Sequence, residues 1–128
     1  MVCLDTSFLI DVLEANEAAR ELMDRFERDR THLSVTPVTA SELWIGATLG
    51  TDAEAETTRG LLDSLTWLPF SRGCAQRAGE LQAGLIEDGR EIGIADCMIA
   101  AIAIEHDEAL VTRDDDFERI AELRTITY

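Results

Sequence analysis

Four carboxylates in this sequence stand where a charge is out of place. Asp5 is the only charged side chain in residues 1–10, Glu42 the only one between Val38 and Gly50, and Asp96 the only one between Ile92 and Ile104. The fourth, Asp114, opens an acidic triplet directly after the run Ala109-Leu-Val-Thr112. A lone carboxylate in an apolar segment is costly unless it is paired, hydrogen-bonded or metal-bound. Pairing is restricted here, because all 11 basic residues are Arg and there is no Lys. Four ionised carboxylates brought together need a cation. Oxygen-only donors select hard ions such as Mg²⁺ or Mn²⁺. Zinc is disfavoured: His32 and His106 have no helical partner spacing, and no Cys lies near either. A carboxylate-held Mg²⁺ points to phosphate chemistry, in which the ion activates a water and stabilises charge on a phosphodiester.

Taken singly, each acid also has a reading as a helix-end residue. Asp5 and Asp114 can cap the helices that follow them. Thr39-x-x-Glu42 fits a capping box, with Val38 and Leu43 as its staple. Asp96 suits the positive end of a helix dipole. Taken together the capping reading weakens. All four fall at helix starts, and Asp5 and Asp114 directly follow strands. If those strands are neighbours, the acids converge at the carboxyl edge of a sheet, where open α/β folds bind ligands.

The elements that must position them follow from hydrophobic spacing. Strands are expected at 2–5, 32–36, 66–70, 109–112 and 124–128. Helices are expected at 7–14, 17–30, 39–49 and 52–65, from Ser71 to Asp88-Gly89, at 92–104, and around Phe117–Leu123. Short apolar strands alternating with helices indicate a parallel sheet covered on both faces. The arginines of segment 17–30 read as a solvated charge run, with an RNA-backbone contact the minor reading.

At 128 residues the chain is expected to form a single domain, 1–128. The net charge of −15 argues against nucleic-acid binding through a broad basic face. It leaves any anionic substrate to a few arginines and bound cations, and it fits a surface adapted to high salt. Cys3, Cys74 and Cys97 are scattered and read as buried thiols in a reducing cytosol. No apolar run is long enough to span a membrane, and no signal peptide is recognisable.

Four blocks carry a family resemblance: Leu-Asp5-Thr-Ser-Phe-Leu-Ile; Pro-Val-Thr-Ala-Ser-Glu42-Leu-x-x-Gly46-Ala; Ile-Gly-Ile-Ala-Asp96-x-x-Ile-Ala-Ala; and Leu-Val-Thr112-Arg-Asp114-x-Asp116-Phe. In this order they resemble a PIN domain, and more narrowly the VapC-type ribonuclease toxins of toxin–antitoxin pairs. The resemblance spans essentially the whole chain. It implies an α/β/α sandwich around a five-stranded parallel sheet and an endoribonuclease dependent on Mg²⁺ or Mn²⁺. It carries the family's acidic quartet onto Asp5, Glu42, Asp96 and Asp114, as metal ligands and catalytic residues. Asp116 becomes a further ligand or water positioner, and Thr6, Ser7 and Thr112 become hydroxyls that orient the carboxylates. It further implies a homodimer, an RNA substrate, and an antitoxin of the VapB type wrapping a groove beside the site. Arg113 is the nearest cation in sequence that could hold the RNA backbone, although a solvated arginine fits the position equally.

Rival readings divide on residues. Receiver domains and haloacid-dehalogenase phosphatases need a lysine, as does a P-loop, and none exists here. A non-catalytic PIN module acting through protein binding is opposed by the intact quartet. A structure-selective DNA nuclease is opposed by the shortness of the chain.

Overall fold

A computed structural model describes residues 1–128. Five strands, β1 (Val2–Leu4), β2 (Leu33–Val35), β3 (Thr66–Trp67), β4 (Ala109–Val111) and β5 (Thr125–Ile126), form one parallel sheet in the order β3-β2-β1-β4-β5. Six α-helices accompany them: α1 (Thr6–Leu13), α2 (Glu17–Arg28), α3 (Pro37–Leu49), α4 (Asp52–Asp63), α5 (Arg72–Glu87) and α6 (Ile94–Glu105). The architecture is the expected α/β/α sandwich. Side chains of β1 alternate across the sheet, as strand geometry requires. Val2 and Leu4 join Phe8, Leu22, Phe26 and Leu62 on the α1–α4 face. Cys3 joins Cys97, Ile99 and Phe117 on the α5–α6 face. The three cysteines are buried free thiols, and burial, aided by the negative field of Glu108, pushes Cys3 up to about 12.

β1 is the switch point. The chain steps outward through β2 and β3, then returns to the other side of β1 for β4 and β5. Leu4 lies opposite Val111, and the Asp5 amide donates to the Val111 carbonyl at 3.0 Å. The strands carrying Asp5 and Asp114 are therefore adjacent, which was the condition for their convergence.

The structure corrects the sequence expectations at several places, among them the strand expected at 66–70, which ends at Trp67. Helix α3 starts at Pro37, with Thr36 as its cap accepting from the Thr39 amide at 3.0 Å. Pro37 thus occupies the first helical position, which tolerates the missing N–H, and the Thr39–Glu42 capping box does not form. The segment around Phe117–Leu123 is not an α-helix but a 3₁₀ turn, Asp115–Arg119. Phe117, Ile120 and Leu123 are all buried. They anchor the turn and the loop after it to the core on the α5–α6 face. The last strand is also shorter than 124–128 and ends at Ile126.

Candidate metal centre

The acids meet at the carboxyl ends of β1 and β4. Asp5 follows β1 directly and is almost fully buried. It occupies the cap position of α1, yet its side chain makes no capping bond. Its Oδ2 instead accepts from Thr112 Oγ1 at 2.7 Å and from Ser7 Oγ at 2.8 Å. Both hydroxyls fall on one oxygen, so Oδ1 has no hydroxyl partner. Thr112 also accepts from the Asp114 amide at 3.0 Å, so one hydroxyl joins the acids of two neighbouring strands.

Glu42 reaches the site from α3. Its Oε1 accepts from Thr6 Oγ1 at 2.6 Å, so the carboxylate points across to α1 instead of back to its own helix end. Asp96 enters in the first turn of α6, a helix otherwise buried through Cys97 and Ile99–Ala103. Asp114 caps the 3₁₀ turn through the Asp116 amide at 2.9 Å, so its capping and site roles coexist. One carboxylate oxygen from each of Asp96, Asp114 and Asp116 lies within 4.8 Å of the others.

The electrostatics record the crowding. Burial, reinforced by the negative charges of Asp5, Asp114, Glu42 and Asp116, pushes the Asp96 carboxyl from 3.8 up to about 6. Burial also raises Asp5, against the opposing pull of the Thr112 and Ser7 hydroxyls. No lysine exists to relieve the repulsion. A hard divalent cation is what this all-oxygen donor set fits, and its charge would favour the ionised form of Asp96.

A pH dependence follows. The folded chain binds a proton on Asp96 that the unfolded chain has already lost. The associated stability is present below 3.8 and is lost as pH rises through about 6. Asp5 shifts in the same sense. Asp11, held low by the Arg113 guanidinium, has the opposite sign, and its contribution is lost only as pH falls below its ordinary value of 3.8. The melting temperature in chelator is therefore expected to fall between pH of about 4 and 7. Asp96→Asn is expected to flatten that fall in a thermal-denaturation series. A wild-type melting temperature that rises across this window would contradict the assignment.

Sequence reasoning missed two buried acids. Asp11 on α1 accepts from Arg113 and Tyr128. Glu108, just before β4, accepts from Ser34 Oγ at 2.5 Å. The signal for Asp11 was present, since it interrupts the apolar run Phe8-Leu-Ile-x-Val-Leu13 just as Asp96 interrupts its own. His32 is exposed and His106 ends α6, so neither belongs to the site. The arginines of α2 are exposed and interleaved with Glu17, Glu21, Asp24 and Glu27.

Comparisons with known proteins converge on one group. A profile described as the PIN domain matches residues 2–123. Ribonuclease VapC5 of Mycobacterium tuberculosis is 36% identical, over 89% of this chain and 83% of its own length. Ribonuclease VapC2 of Haemophilus influenzae is 31% identical, over 95% of this chain and 93% of its own. Among solved structures, DNA-bound VapBC from Salmonella typhimurium superposes with a TM-score of 0.88 at 25% identity, covering 99% of this chain and 98% of that one.

Proposed function

The chain belongs to the PIN domain family, and from that premise we propose that it is a Mg²⁺- or Mn²⁺-dependent endoribonuclease, the toxin of a VapBC-type pair, working as a single domain over residues 1–128. The observation that carries the reading is the convergence of Asp96, Asp114 and Asp116 beside Asp5 at the switch point, with Asp96 pushed up to about 6. The relatives in Mycobacterium tuberculosis and Haemophilus influenzae are named ribonucleases, which supports RNA as the substrate class.

In this reading Asp5, Asp96 and Asp114 hold the ion, with Asp116 as a further ligand. When bound, the ion lowers the pKa of a water and neutralises charge developing on the phosphodiester. Thr112 and Ser7 fix the Asp5 carboxylate, so its orientation is set before substrate arrives. Thr6 holds Glu42 at the edge of the cluster, where it can accept a hydrogen bond from the attacking water.

The partner assignment rests on a groove of about 590 Å³ between α1, α3 and α4. Ile10, Leu13, Leu43 and Ala47 give it an apolar floor, while Glu14 and Glu54 add negative charge and Glu42 joins it to the site. An antitoxin segment with apolar anchors and basic residues fits this lining. A homodimer would cover part of the exposed apolar surface, of which Trp67 and Phe70 are members. No helix is long and apolar enough to cross a membrane, and the proposed site of action is the cytoplasm.

The direct test is cleavage of a labelled structured RNA by the purified chain. Cleavage is expected with Mg²⁺ or Mn²⁺ and none above background with chelator. Equal cleavage in both conditions would defeat the metal-dependent reading.

A further inference from the structure

Asp11 is a buried acid that the proposed chemistry does not use, and its partners lead back to the site. Its Oδ2 accepts from Arg113 Nε at 2.6 Å and from the Tyr128 hydroxyl at 2.5 Å, and its Oδ1 accepts from Arg113 Nη2 at 3.2 Å. The Tyr128 ring packs edge-on against Phe8, with centroids 5.1 Å apart. The carboxylate is thus held from two sides. The pair is lopsided in exposure: the Asp11 side chain is 8% exposed and that of Arg113 57%.

A guanidinium is planar and can offer more than one bidentate edge. Arg113 spends its Nε–Nη2 edge on Asp11, and Nη1 has no protein partner. Its backbone lies between Thr112, which bonds Asp5, and Asp114, and its amide donates to Ser7 Oγ at 3.3 Å. The other arginine beside the acids is Arg119. It is committed to the Arg90 and Glu91 carbonyls and to Asp116. In a chain of net charge −15, Arg113 is the site-adjacent cation with an edge left over.

We propose that Arg113 binds an RNA phosphate flanking the scissile one through its Nη1 edge, and that Asp11 and Tyr128 are the positioning residues that aim it. This rests on the ribonuclease reading above. The carboxylate matters because an unanchored arginine would have to be ordered anew on each binding event, which weakens binding. Lysine at this position would keep the charge and lose the fork.

The test is RNA affinity by fluorescence anisotropy, with Ca²⁺ in place of Mn²⁺ to separate binding from cleavage. It is run alongside KM and kcat in Mn²⁺ and calorimetric Mn²⁺ affinity. Arg113→Gln is expected to weaken RNA binding about tenfold. It should also flatten the logarithmic salt slope by about 0.7, the share of one phosphate contact on a single strand. KM should rise more than kcat falls, and Mn²⁺ affinity should stay within about twofold. Arg113→Lys should recover only part of the loss. Asp11→Asn and the milder Tyr128→Phe should shift binding in the same direction by smaller factors. Wild-type affinity and salt slope in Arg113→Gln would overturn the proposal. So would a fall in Mn²⁺ affinity that accounts for the whole defect, since the residue would then act only by holding Asp114. If the wild type binds RNA without cutting it, the nuclease reading fails while the Arg113 prediction is still decided by binding. If the wild type binds no RNA, both fall.

Discussion

Asp96→Asn is expected to lower RNA cleavage by about a thousand-fold while leaving a folded protein. Three of the acids that raise Asp96 come from other elements: Asp5 at the end of β1, Glu42 on α3, and Asp114 after β4. Asp96 is therefore the carboxylate through which α6 contributes to the cluster. Losing one ligand of a divalent ion forfeits charge stabilisation in the transition state of roughly 4 kcal/mol, which is about three powers of ten in rate. The amide is nearly the same shape, and the buried face of α6, with Cys97 and Ile99, is untouched by the change. It is also neutral, in a place where burial and four neighbouring acids disfavour the charge. The variant should consequently melt no lower than the wild type in chelator at pH 7, and it should bind Mn²⁺ more weakly by calorimetry. Initial cleavage rates within tenfold of wild type at saturating Mn²⁺ would remove Asp96 from the site.

Asp5, Glu42 and Asp96 stood out because each is a charge inside an apolar stretch, and burying such a charge demands a reason, whereas Asp114 stood out only by following a strand. The sheet was legible because short apolar strands alternate with helices. What stayed hidden depended on partners remote in sequence. Asp11 meets Arg113 and Tyr128, more than 100 residues away, and local spacing cannot reveal such a pairing. Glu108 likewise meets Ser34 across the sheet. The capping box at Thr39 failed through local competition. Thr36-Pro37 offers a cap followed by a proline at the first helical position, and that earlier start leaves Glu42 free to face Thr6. The helix expected around Phe117–Leu123 forms only as the short 3₁₀ turn Asp115–Arg119, capped by Asp114 through the Asp116 amide.

The hydroxyl of Thr112 carries the second large effect. Thr112 is buried, donates to Asp5 Oδ2 at 2.7 Å, and accepts from the Asp114 amide at 3.0 Å. One oxygen therefore sets two carboxylate-bearing segments against each other, after β1 and after β4. Thr112→Val keeps the branched shape and removes that oxygen. The Asp114 amide loses its acceptor, and Asp5 keeps only the Ser7 bond on Oδ2. An unsatisfied buried group costs about 1–3 kcal/mol of stability. Loss of a residue that orients metal ligands costs about 10- to 100-fold in metal affinity or activity. Both are expected here: a lower urea midpoint, and cleavage reduced by that factor with Mn²⁺ affinity falling in parallel. Thr112→Ser restores the oxygen but not the methyl group, and it should recover most of the activity while keeping a small stability deficit. This split separates the two contributions of the side chain, because packing follows the methyl group and site geometry follows the hydroxyl. If valine and serine lost activity equally, Thr112 would be acting through packing alone, and Asp5 and Asp114 would be held in place by the strand pairing of β1 with β4.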